Sequence, residues 1–130
     1  MSHVKKILAA LLIGLAGLAL APLPSQAAED IGALAYSRRT GALGWSYNYD
    51  DEESARERAM QECRKYANDC KIARTFQNVC VSVARDGNHM GWAWGYAGPE
   101  RRRRAIDECR SDGGRNCTIA AQFCTGDADN

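Results

Sequence analysis

Two stretches of the chain decide how the rest is read: LGWSYNY at 43–49 and MGWAWGY at 90–96. Each sets aromatic residues at every second position after a Gly, and a period of two is the mark of a strand. On a strand, Trp45, Tyr47 and Tyr49 share one face, and Gly44, Ser46 and Asn48 the other. In the second phrase Trp92, Trp94 and Tyr96 lie opposite Gly91, Ala93 and Gly95. The small-residue faces let another layer come close, whereas the ringed faces must meet the other copy or solvent.

The repetition extends beyond the aromatic phrases. Trp45 maps to Trp92, Cys63 to Cys109, Cys70 to Cys117 and Cys80 to Cys124, with offsets between 44 and 47 residues. Three cysteines and an aromatic phrase in one order indicate two copies of a single unit. In each copy a first strand (32–37 and 80–85) is followed by turn residues (RRTGA at 38–42, DGNH at 86–89) and then the aromatic strand, so a hairpin opens each half. A helix should follow. Asp50 or Asp51 can cap the first one, Glu52 and Glu53 suit its first turn, and Ala55, Ala59, Cys63 and Ala67, with Met60 beside them, form one apolar stripe. In the second, Pro99 fits the first helical position and Ala105, Ile106 and Cys109 repeat the stripe. Asn68 and Gly113-Gly114 are helix stops. KIARTF at 71–76 and TIAAQF at 118–123 read as closing strands, with Ile72 on Ile119 and Phe76 on Phe123. The expected fold is α+β, a small disulfide-stapled domain of two pseudo-repeated strand-strand-helix-strand units. Repeat one spans about 31–79 and repeat two about 80–125.

Residues 1–27 stand apart. Lys5 and Lys6 precede an apolar run from Ile7 to Ala21, and Pro22 to Ala27 ends in small residues, which reads as a secretory signal peptide. The run of about 15 residues is shorter than the roughly 20 that span a bilayer. No Cys follows it to accept a lipid. Residues 28–130 are then expected as one exported domain, periplasmic or secreted, with no stable membrane anchor. Of 17 basic and 16 acidic residues, the leader takes away Lys5 and Lys6, leaving a net charge of −1. Nucleic-acid binders carry a strong basic excess, so that class is set aside.

All six cysteines, Cys63, Cys70, Cys80, Cys109, Cys117 and Cys124, lie beyond the leader. An even number in a short exported chain reads as a disulfide framework, because small cores need staples and the compartment oxidises. Metal ligation is not expected: the closest Cys pairs are seven residues apart in the chain and His89 is the one histidine beyond the leader. Of the fifteen pairings open to six cysteines, the duplication favours Cys63 with Cys70 and Cys109 with Cys117, each clipping a helix to the next strand. Cys80 with Cys124 remains. Read as equivalent positions, these two would tie the halves together, and closing 44 residues would stabilise by roughly 4 kcal/mol.

Chemistry is sparsely signalled. His89 sits in a Gly/Asn turn with no nucleophile placed for it, no Cys-x-x-Cys occurs and no Gly-rich phosphate loop is present. Asp50 to Glu53 could supply paired carboxylates for glycan hydrolysis, yet capping already explains them. They also lack the ligand spacing of a calcium loop. No cofactor is implied. The six rings of the aromatic phrases are expected to form the core of a domain this small. The alternative is an exposed platform, centred on Trp45, Trp92 and Trp94, for sugars or a protein. Four arginines, Arg101, Arg102, Arg103 and Arg104, break the pseudo-symmetry. They turn through about 300° on a helix and cannot share one face. Arg101 takes the place of Ala55, on the buried stripe, to snorkel or meet an acid; Arg102 and Arg103 should be solvated. As a group they are candidates for an acidic partner, an anionic envelope polymer or a protein with carboxylates.

Ala35-Tyr36-Ser37, Gly44-Trp45-Ser46, Ala59 and Cys63, Cys70, Cys80, then Trp94, Ala105, Cys109, Cys117 and Cys124 carry a resemblance. In that order they resemble the exported bacterial family catalogued as domain of unknown function 4189, across about residues 30–125. The arginine run departs from the small or polar residues expected there. The resemblance implies an exported, disulfide-bonded domain and brings no catalytic residues. The function expected is a non-enzymatic binding or interaction module, inhibitor or effector, acting on a protein or envelope partner. Its alternatives are a small envelope glycan hydrolase with paired carboxylates and a structural or stress-related envelope protein.

Overall fold

The computed structural model describes residues 17–22 and 29–129. The expected signal peptide lies outside the described residues except for 17–22, which form neither helix nor strand. The first unit runs β1 (Ile31–Tyr36), β2 (Leu43–Tyr49), α1 (Glu52–Arg64) and β3 (Lys71–Gln77). The second runs β4 (Val79–Asp86), β5 (His89–Trp94), α2 (Gly98–Ser111) and β6 (Thr118–Thr125). The strand-strand-helix-strand grammar therefore occurs twice, in an α+β fold.

Each unit builds its own antiparallel sheet, ordered β2-β1-β3 and β5-β4-β6. The first strand of each unit is central and pairs with both others. The two flanking strands are consequently parallel to each other, and the helix carries the chain over the sheet between them. Leu34, Leu43 and Phe76 of the first sheet interlock with Val81, Val83, Met90, Ala121 and Phe123 of the second. On the outer faces, Ala55, Ala59 and Cys63 of α1 pack on Ala33 and Ala35, while Ala105 and Cys109 of α2 pack on Ala84 and Ala93. The layers are helix, sheet, sheet, helix.

The small faces of the aromatic strands do what their composition implies. A Cβ on Gly44 would collide with the backbone of Ala59 and Cys63 in α1, and one on Gly91 with that of Ala105 and Cys109 in α2. Ser46 completes the first seam: its hydroxyl accepts from the Ala33 N–H at 3.1 Å and donates to the Ala55 carbonyl at 2.7 Å. Asp51 caps α1 by accepting from the Ser54 N–H at 2.7 Å, which holds its carboxyl below the usual range. The second helix opens one residue earlier than expected, with Gly98 first and Pro99 second. The first ends at Arg64, before Asn68.

Three expectations are corrected. The six rings are not the core. The inter-sheet core is Leu, Val, Met, Ala and Phe; Trp92 and Tyr49 pack partly buried against the core clusters, Trp45 (36% exposed) and Trp94 (39%) are mostly covered at the rim, and Tyr47 and Tyr96 stand about half in solvent. Sheets this narrow put their second and third strands at an edge, so bulky rings there close the rim of the sandwich and leave its centre to aliphatic side chains. Nor do three rings share a face. Asn48 adopts φ +59° at a register shift in the β1/β2 pairing, which turns Tyr49 toward the α1 side; Gly95 and Tyr96 have φ +67° and +53° and carry Tyr96 off the strand.

The disulfides are Cys63–Cys70, Cys109–Cys117 and Cys80–Cys124. Cys80 and Cys124, however, are not repeat equivalents. They sit directly opposite each other on β4 and β6, where the first unit pairs Ile31 with Gln77. Their bridge lies within the second unit and does not join the halves. What joins them is the inter-sheet core and a set of polar contacts. Arg85 donates to the Gly41 carbonyl at 2.7 Å, Arg38 meets Asp112 at 3.0 Å, and the Gly126 N–H donates to Asn48 Oδ1 at 2.7 Å.

Candidate functional site

The aromatic strand of each unit is an edge strand, and a groove follows each free edge. The larger, of about 1110 Å³, is lined by every residue from Met90 to Tyr96. Side chains of a strand alternate between faces, so seven consecutive lining residues mean that the groove runs along the backbone edge. Arg104, Asp107, Glu108 and Ser111 of α2 form one wall, and Tyr36, Arg38 and Asp112 close one end. A counterpart of about 580 Å³ follows β2, with Trp45 and Tyr47 against Arg58, Glu62 and Lys65 of the α1 side.

Rings on the rim are held in defined positions. Trp92 lies 5.7 Å from Tyr36 between centroids, and Trp94 lies 5.9 Å from Phe76. The Arg74 guanidinium stands 4.3 Å over Trp94 and that of Arg104 4.0 Å over Tyr96, cation–π geometry that fixes both partners. Arg104 also meets Glu100 at 3.0 Å, one helical turn away. In the other groove Trp45 stacks on Phe123 at 6.3 Å.

Electrostatics at the closed end centre on Asp112. Its carboxylate accepts from the Met90 N–H at 3.0 Å and from Arg38, and these two donors hold it below the ordinary carboxylate range. The His89 Nδ1–H donates to the Asp112 carbonyl at 2.7 Å, since a carbonyl can only accept. Among the described residues no cluster of His, Cys, Asp or Glu is arranged to hold a metal ion. Every cysteine is in a disulfide.

The four arginines separate as helix geometry requires. Arg101 is 1% exposed; its Nε donates to the Ser82 hydroxyl at 3.0 Å and its Nη1 to the Tyr96 carbonyl at 3.4 Å. It fills the place that Ala55 and Ser46 share in the first unit, and burial, with Arg102 adding repulsion, pushes its guanidinium down. Its candidacy for partner contact is therefore corrected: it supports the strand end from beneath. Arg102 is half-buried and Arg103 exposed. Arg104 alone joins Trp92 and Trp94 at the groove, while Trp45 lies in the other one.

Sequence reasoning missed Tyr36, Arg38, Asp107, Glu108 and Asp112. Asp107 and Glu108 follow Arg104 by three and four residues and so share its helix face, a signal that was present. Tyr36 and Arg38 come from the other unit and carried none.

A helix–sheet–sheet–helix sandwich of two stapled repeats, with an aromatic groove along an open strand edge, defines a small disulfide-bonded α+β domain. The family model described as Domain of unknown function (DUF4189) matches residues 31–124, and the chain belongs to that family. No curated protein and no solved structure matches it. Its disulfides are those of a chain that matures outside the reducing cytosol, and no helix among the described residues is long and apolar enough to cross a membrane.

Proposed function

We propose that this protein is an exported, non-enzymatic interaction module, periplasmic or secreted, that takes a protein partner through the groove along β5 as an inhibitor or effector. The observation that carries this reading is the exposed pair Trp94 and Tyr96, each backed by a stacked arginine, on the rim of a groove that follows an unpaired strand edge. Aromatic and Arg side chains in fixed rotamers lose little entropy on binding and dominate interface energetics. The hydrolase alternative draws less support. A glycosidic proton donor needs a raised pKa, and Asp112, the most enclosed carboxylate of the groove, is held ionised.

The test is photo-crosslinking in the native host from a benzoylphenylalanine placed at Tyr96, with the same group at Glu57 on the opposite outer helix as control. A discrete protein adduct from position 96 and not from 57 is expected. Identical adducts from both positions, or turnover of purified peptidoglycan by the unmodified protein, would overturn the proposal.

A further inference from the structure

Resting on that reading, we infer that the β5 groove takes an extended segment of the partner as an added strand, one in which apolar and basic residues alternate. An exposed sheet edge offers unpaired N–H and C=O groups, and native proteins usually blunt such edges with bulges, charges or proline. Four strands here are edges: β2, β3, β5 and β6. The pairings of β2, β3 and β6 each contain a register shift, and β3 also carries Lys71 and Arg74. The pairing of β5 with β4 runs from Asp86–His89 to Val81–Trp94 without one, and HMGWAW contains no proline and no Asp, Glu, Lys or Arg. Among the described strands β5 is thus the one regular edge with no Asp, Glu, Lys, Arg or Pro; Asp112 takes its first outward amide, the Met90 N–H, so the open edge runs from Gly91 to Trp94, and it floors the large groove.

The two sides of that edge differ in chemistry. An added strand would point alternate side chains to opposite faces of the sheet. On the inner face they meet Trp92 and Trp94, which asks for apolar groups. On the outer face they meet the α2 wall. There Arg104 is engaged by Tyr96 and Glu100, and at the closed end Arg38 is engaged by Asp112. Asp107 and Glu108 supply the remaining charge of the wall, Asp107 sharing an exposed pair with Arg110 at 3.5 Å. That wall asks for Lys or Arg at the alternate positions. A segment of about four residues, roughly 13 Å long, matches the open part of β5.

The probe is a capped peptide of alternating valine and lysine, about seven residues, whose binding to the purified, non-reduced protein is read by fluorescence anisotropy. Its comparators are the valine–glutamate peptide and two N-methylated versions, one methylated on the valines and one on the lysines. Only one set of alternate amides faces β5 in an added strand. One methylated version should therefore bind about tenfold or more weakly while the other keeps its affinity. The double variant Asp107→Lys, Glu108→Lys, on exposed helix positions, should transfer preference to the glutamate peptide. Equal binding of the lysine and glutamate peptides, or no effect from either methylation, overturns the inference. So does a wild-type protein that self-associates through β5 and is not dissociated by the peptide, because a second copy would then own the edge. If position 96 still crosslinks a partner in any of those cases, the proposed function stands and strand addition alone falls.

Discussion

Replacing Gly91 by Ala asks whether the helix is seated on the aromatic strand as closely as the structure has it, and the sign of the answer is decisive. Gly91 does not have a positive φ, so alanine is conformationally allowed there. In open space the change would stabilise by about 0.4–1 kcal/mol, through a less flexible unfolded chain. Here the new Cβ would lie 2.6 Å from the Ala105 carbonyl oxygen and 2.5 Å from the Glu108 Cβ, where ordinary contact begins at 3.4 Å. The Cys109 amide nitrogen lies closer still, so α2 or β5 must give by about 1 Å, and a gap of that size forfeits a quarter to a half of each dispersion contact across it. The Cys109–Cys117 bridge holds the C-terminal part of α2 and limits a swing of the helix. Overpacking of this kind costs about 1–3 kcal/mol, and each kcal/mol lowers the melting temperature of a domain this size by about 4–8 °C. Thermal unfolding of the non-reduced protein, followed by circular dichroism, should place Gly91→Ala about 4–24 °C below wild type. Gly44→Ala should behave alike, as its pseudo-equivalent against α1. A melting temperature equal to or above that of wild type would refute the close seating of the helices.

Other expectations follow from single contacts. Removing the Cys80–Cys124 bridge by a double Ser substitution opens a 44-residue loop and should cost about 4 kcal/mol in denaturant unfolding. A chain cut after Asn78 should run as two pieces on a denaturing gel without reductant, since no bridge crosses between units; co-migration would contradict the pairing. Asp112 is favoured as carboxylate in the folded state, so its contribution is full above the ordinary Asp range, about 3.9. It is lost as pH falls through its lowered folded value. Asp112→Asn should therefore be less stable than wild type at neutral pH, with the gap narrowing as pH falls below the ordinary Asp value; a pH-independent gap would be inconsistent. Asp51→Ala, which deletes the α1 cap, should lower the urea midpoint of unfolding, and an unchanged midpoint would contradict the capping role.

The double phrase at 43–49 and 90–96, the Ala stripe of the first helix and the cysteine order were enough to read the repeat, the element types and all three pairings. Those signals are local: a period of two for a strand, four-residue spacing for a helix face, a cysteine at each end of a short reversal. They carried the closing strands as well, where Ile72 and Ile119 occupy matching places opposite Ala35 and Ala84.

What local spacing could not supply is which element each face meets. Nothing in the order of residues says that the ringed faces sit at the rim over Phe76 and Phe123 and not at the centre, because that depends on how two three-stranded sheets overlap. Likewise Cys80 and Cys124 read as repeat equivalents by offset but face each other across one sheet, a register that only the pairing of β4 with β6 sets. The groove belongs to the same category. Its strand and helix wall were legible in one stretch of chain, while the open edge came from the strand order of the second sheet and Tyr36 and Arg38 from packing between units. The sequence by itself determined the repeated unit, its two short staples and its aromatic strands, because each rests on near-neighbour periodicity. Tertiary structure alone decided which rings are buried, which arginine reaches the surface and which strand edge stays open, because those are contacts between residues tens of positions apart.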